Sequence, residues 1–171
     1  MHDIFNEYLI KKLLSFSDYL KKIGIAVLGI IIMALGIVYA GALSVLIIAG
    51  VGVGVYFVYK EFDLEFEYIL TNNELDVDKV ISRERRKHML TVKVTDFEIL
   101  APFRGNYLEP YRNTLERTID VSSHKKSPNR WFAVWKNEGK LTMLIFEPPQ
   151  KMRDGIAAFI PRRVKKSEEN T

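Results

Sequence analysis

The chain contains no cysteine. That absence excludes a disulfide framework, a zinc–thiolate site and a cysteine nucleophile. Charge is missing from Ile23 to Tyr59, 37 consecutive residues without Asp, Glu, Lys, Arg or His. An uncharged block of that length rules out a single soluble domain. Proline is absent before Pro102, although seven of the ten glycines fall inside the uncharged block. A large excess of one sign is also lacking. The formal charge of +4 divides into +2 for residues 1–60 and +2 for the remainder. A polar half so close to neutral disfavours nucleic acid as a partner.

What is present begins with that block. A bilayer core of about 30 Å needs roughly 20 apolar residues as helix. Thirty-seven residues would make a rod of about 55 Å, too long for one span. Two spans fit if the chain reverses near Tyr39-Ala40-Gly41-Ala42, where small residues tolerate unusual backbone angles. The expectation is a transmembrane hairpin over 23–60, with helices Ile23–Ala40 and Ala42–Tyr59. Gly36 with Ala40, and Gly50 with Gly54, supply small-xxx-small spacings that let helices approach closely. Lys11, Lys12, Lys21 and Lys22 precede the block and Lys60 follows it, whereas the turn carries no Lys or Arg. The positive-inside rule then puts both termini in the cytoplasm of a multi-pass cell-membrane protein. Residues 1–22 read as an amphipathic interfacial helix. Asp3 is its cap, and Ile4, Phe5, Tyr8, Leu9, Leu13 and Phe16 recur at helical spacing.

After Lys60 the period changes to two. Leu64, Phe66 and Tyr68 share one face of a strand, and Thr71-Asn-Asn-Glu74 signals a turn into a second. Met89–Val94, Asp96–Leu100, Thr118–Val121, Trp131–Trp135 and Leu141–Phe146 read as further strands, with a tight turn at Asn137-Glu-Gly139. Trp131–Trp135 is apolar throughout, as expected of a strand covered on both faces, with the two tryptophans in the core. Pro148-Pro149 opens a helix carrying Met152, Ile156, Phe159 and Ile160 on one face, and Pro161 ends it. Residues 162–171 read as a flexible charged tail. The expected class is α+β: the hairpin, then an antiparallel β barrel or sandwich over 61–161 with a C-terminal helix.

Met1-His-Asp-Ile-Phe5 with Lys11-Lys12, then Glu67–Ile81, Arg83, Arg85, Arg86, Lys87 and Phe97–Pro102, carry a likeness densest between 60 and 102. On these residues the chain resembles an uncharacterised family of small bacterial membrane proteins, with a two-helix membrane hairpin and a cytosolic pleckstrin-homology-like (PH-like) domain. The resemblance implies that architecture and a membrane address, and no activity.

Arg83-Glu-Arg-Arg-Lys-His88 holds four permanent cations, Arg83, Arg85, Arg86 and Lys87. Read as a loop between the second and third strands, it is a candidate contact for anionic lipid or phosphate. Its bland alternative is a solvated loop that guards the sheet edge. Lys125, Lys126 and Arg130 form a second cluster, and Arg162, Arg163, Lys165 and Lys166 a third. Glu65, Glu67, Asp76 and Asp78 read as a solvated face. His2, His88 and His124 show no metal spacing. No catalytic constellation, metal or cofactor is expected. The expected function is non-enzymatic: a membrane-anchored domain that binds a protein partner or the anionic membrane face. The alternative is an accessory subunit assembled, or self-associating, through the small-residue helix faces.

Overall fold

The computed structural model describes residues 5–165. Two helices long and apolar enough to cross a bilayer lead into a two-layer β domain closed by a third helix. The helices are α1 (Phe16–Tyr39) and α2 (Ser44–Lys60). A 3-10 turn at Gly41–Leu43 reverses the chain, with Gly41 at φ +51, a left-handed angle that glycine adopts without a Cβ clash. The turn falls where the small residues placed it. The start of α1 does not: it begins seven residues before Ile23. The Asp18 carboxylate accepts the Ser15 N–H at 3.0 Å, so a cap fixes this start well before the apolar run. Leu28, Ile31, Leu35, Val45 and Leu46 stay exposed, as suits helices that meet lipid.

The expected interfacial helix over residues 1–22 is corrected. Among its described residues, Phe5–Lys11 is a strand, β1. It pairs antiparallel with β2 (Leu64–Thr71), from Phe5 opposite Thr71 to Lys11 opposite Glu65. Pairing with an open sheet edge satisfies every second backbone group along the segment, which outweighs a short helical pattern. Asp3 and Ile4 lie outside the described residues.

A four-stranded antiparallel sheet runs in the order β1-β2-β3-β4, with β3 Glu74–Ile81 and β4 Arg85–Lys93. A second sheet has β5 (Ile99–Pro102), β6 (Arg117–Asp120), β7 (Trp131–Asn137) and β8 (Lys140–Phe146) in the order β5-β7-β8-β6, with β6 parallel to β8. Between the sheets lie Tyr68, Leu70, Leu75, Val77, Leu144 and Phe146, all fully buried. Helix α3 (Gln150–Phe159) lays Met152 and Ile156 onto this core, each worth about 1.5–3 kcal/mol of burial. Trp131 and Trp135 face the same core, while Phe132 and Val134 on the opposite face are covered by Phe103, Tyr107 and Tyr111. The double coverage expected of this strand is present.

The expected tail from 162 is partly fixed. Arg163 donates to the carbonyls of Thr95 and Phe97, each at 2.9 Å, and Val164 bridges to Leu100. Lys166 lies outside the described residues.

The β domain is discontinuous in sequence. Lys12 N–H donates to Leu64 O at 2.8 Å, continuing the β1–β2 ladder. The helical hairpin is therefore an insertion at the turn of a β-hairpin, and the domain comprises residues 5–12 plus 64–165.

Candidate functional site

Because the helices are inserted in a turn, both of their linkers leave the β domain at one end. Lys11 and Asp63 form an ion pair at 2.8 Å across these linkers, and the ammonium holds the Asp63 carboxyl below its ordinary range. Tyr59 donates its hydroxyl to Lys22 O at 2.8 Å, binding the base of α2 to that of α1. The β3–β4 turn folds against the same place. Ser82 N–H donates to Asp63 O at 2.7 Å, and Lys60 pairs with Glu84 at 2.7 Å. Leu13 N–H donates to Ser123 O at 2.9 Å, which brings in the segment between β6 and β7. The foot of the hairpin thus gathers cations from five separated stretches: Lys11 and Lys12, Lys21 and Lys22, Lys60, Arg83 and Arg85, and Lys125 and Lys126.

Arg83, Arg85, Arg86 and Lys87 do not form a free loop, which corrects the expectation. Ser82 and Arg83 both take positive φ, 53° and 58°, in a tight turn, and the other three residues open β4. Arg83 lies 3.3 Å from Glu65, Arg85 pairs with Glu61, and Arg86 Nη1 lies 3.1 Å from Glu67 Oε2. Lys87, opposite Lys79 in the ladder, has no ion pair among the described residues. Arg83 and Arg85 stand at the foot, whereas Arg86 reaches across the outer face of the first sheet.

That outer face is not the simple solvated surface expected of its carboxylates. Glu67 sits at its centre with 0 % exposure, and neither of its oxygens accepts a well-aligned hydrogen bond. Burial, helped by the adjacent Glu7, pushes its carboxyl above the ordinary range, against the pull of Arg86. Asp76 accepts the Thr91 hydroxyl, and Asp78 lies 2.8 Å from His88. Among the described residues, no three acidic or histidine side chains gather in a way that would hold a metal.

The second basic cluster divides in two. Arg130 is buried, stacked 4.2 Å over Phe103, and donates to Asp120 at 2.9 Å and to Lys125 O at 2.6 Å. It holds the loop rather than offering a charge. Glu147, also buried, accepts the Ser123 N–H and hydroxyl at 2.7 Å each and the Ser127 hydroxyl at 2.8 Å. A satisfied buried network of this kind rigidifies the segment it ties down. The result is a fixed loop with Lys125 and Lys126 exposed on it. Beside it runs a groove of about 420 Å³, walled by Lys12, Ser17, Ser123, His124, Lys125 and Lys126. Sequence reasoning missed Lys12 and His124 as neighbours, because only the pairing of β1 with β2 brings residue 12 beside residue 124.

The helix-packing candidates also separate. A Cβ on Gly36 would lie 3.0 Å from the Ile47 side chain, so Gly36 is where α1 and α2 touch. Gly29, not singled out in the sequence, does the same against Val55 at 3.2 Å. Gly50 and Gly54 have nothing within 4 Å and face away from α1, and Ala40 is the C-cap of α1.

Two four-stranded sheets closed by a C-terminal helix, joined to a pair of helices long and apolar enough to cross a membrane, define a PH-like domain. The chain belongs to the DUF6106 family of bacterial PH-like domains of unknown function, whose family model matches residues 2–166. No curated protein and no solved structure matches it.

Proposed function

We propose that the chain is a non-catalytic, membrane-anchored binding module. Its helical hairpin crosses the bilayer with both flanks on the cytoplasmic side, and the cationic foot holds the PH-like domain against an anionic leaflet. One observation carries this: five basic stretches separated in sequence converge where the two linkers meet the domain. From Ser15, at the start of α1, to Ile23, where charge ends, is about 12 Å of helix. The headgroup layer is roughly 6 Å thick on each side, so the foot lies at its edge and within a Debye length of its charge. Each Lys or Arg so placed gains about 1 kcal/mol from anionic lipid. The exposed pairs of Arg83 and Arg85 are worth at most about 1 kcal/mol each, so these side chains can exchange a carboxylate for a lipid phosphate.

The test uses the full chain in nanodiscs. Amide hydrogen exchange at 83–85 and 124–126 is expected to slow several-fold when phosphatidylglycerol replaces part of the phosphatidylcholine, and to recover in high salt. Equal exchange in neutral and anionic discs would overturn the electrostatic docking. The absence of native cysteine makes topology directly testable: Ala42→Cys is expected to label only from outside the cell and Asn137→Cys only from within.

A second reading, assembly with another membrane protein or a second copy through α2, is favoured by the vacant faces at Gly50 and Gly54.

A further inference from the structure

We propose that the groove between the linker Lys12–Ser17 and the β6–β7 loop is a discrete binding site for one phosphate ester. This deepens the membrane-docking proposal and rests on it. The charge in the groove is available. Lys125 and Lys126 have no ion pair among the described residues, and Lys12, also without one, has its ammonium 5.9 Å from the centre of the Phe66 ring. The two acidic residues on its wall are occupied: Asp120 by Arg130 and the Ser122 hydroxyl, and Asp18 by the Ser15 N–H. Lys12, Lys125, Lys126 and Ser17 line the groove together with the His124 imidazole, whose Nδ1 accepts the Lys126 N–H at 3.1 Å. Ammonium and hydroxyl donors on several walls suit a tetrahedral oxyanion, which offers acceptors in every direction.

The loop is also prepared in advance. A solvated basic loop needs no internal order, yet this one is tied by two buried groups: Glu147 accepts from Ser123 and Ser127, and Arg130 donates to Lys125 O and to Asp120. Such fixation lowers the ordering cost of binding. Finally, the groove does not end in polar walls. Lys12, Leu13 and Asp18 are shared with an adjoining recess of about 290 Å³ lined also by Leu14, Lys21, Glu61, Phe62 and Leu64, between the two linkers into the hairpin. A cationic groove that shares residues with a recess offering Leu14, Phe62 and Leu64 beside Lys21 and Glu61 suits a phosphate carried on a lipid.

The shared chemistry is the phosphate ester; its source is either a lipid or a soluble metabolite. Full-length chain in detergent is offered phosphatidic acid, phosphatidylcholine or glycerol 3-phosphate, and binding is read by native mass spectrometry. One phosphatidic acid is expected to be retained at least tenfold better than phosphatidylcholine. Glycerol 3-phosphate is expected to displace it only in large excess; equal binding of the two would assign the site to a soluble phosphate. Lys125→Gln with Lys126→Gln, both exposed and held only through their backbone, is expected to lower retention about tenfold with unchanged melting. Arg83→Gln with Arg85→Gln is expected to leave it within twofold. Equal losses in the two double variants, or no preference over phosphatidylcholine, would overturn the site. Slowed hydrogen exchange on anionic discs would in that case leave the general docking standing.

Discussion

Glu67 shows how little a side chain's position in a strand says about its surroundings. It alternates with Phe66 and Tyr68 and points away from the core, yet it is fully buried. Its neighbours on that face are Leu9 of β1 and Asp78 of β3, with Arg86 reaching over from β4. Part of that cover is the strand made by residues 5–11, a segment whose sequence carries a helical pattern. Burial raises its pKa above 4.5, the ordinary value, so the protonated form is favoured in the folded chain. The stability this contributes is full below the unfolded pKa and is lost as pH rises through the folded one. Glu67→Gln is therefore expected to raise Tm at pH 7.5 by about 4 °C, corresponding to about 1 kcal/mol, and to change little at pH 4. Thermal unfolding of the detergent-solubilised chain at the two pH values checks this. An equal or lower Tm at pH 7.5 would show that the charged pair with Arg86 outweighs desolvation.

Among elements, the helical hairpin was legible in outline and its interface was not. An uncharged run of 37 residues with small residues near its middle leaves few alternatives to two spans and a turn. Which glycines face the partner helix depends on rotation about each axis, and apolar residues all around both helices carry no period to fix it. Gly36 and Gly29 meet α2, whereas Gly50 and Gly54 are open. Gly36→Leu must push Ile47 aside and is expected to lower the melting temperature of the solubilised chain by several degrees, since overpacking costs about 1–3 kcal/mol. Gly50→Leu and Gly54→Leu are expected to leave that temperature unchanged. Should those two weaken a crosslinked oligomer in native membranes, assembly through the vacant face of α2 gains direct support; intact crosslinking would remove it. The β strands after residue 60 were more legible than the helices' contacts, because a period of two marks which face is buried. The β3–β4 turn was hidden, since Ser82 and Arg83 adopt left-handed angles without a glycine, asparagine or aspartate to signal it.

At the scale of the whole molecule, the break in the domain explains why the foot could not be read from sequence. Local patterns report on neighbours in the chain, and Lys12 and His124 come to line one groove because β1 pairs beside β2. The same break makes residues 61–171 alone an incomplete domain. Without β1 the edge of β2 is bare and Glu67 loses part of its cover, and an open apolar edge of this kind invites aggregation. Restoring β1 should be enough. Lys11 lies opposite Glu65, and Lys12 N–H reaches Leu64 O, so the strands arrive at the hairpin already in register. Replacing residues 13–63 by an Asn-Gly turn, which suits a two-residue β-hairpin loop, is expected to give a soluble monomer with a single cooperative melting transition. The fragment 61–171 under the same conditions is expected to aggregate. If the joined chain melts without cooperativity, the contacts of Leu13, Lys60 and Asp63 at the foot are part of the domain's stability, and the anchor and the β sandwich fold as one unit.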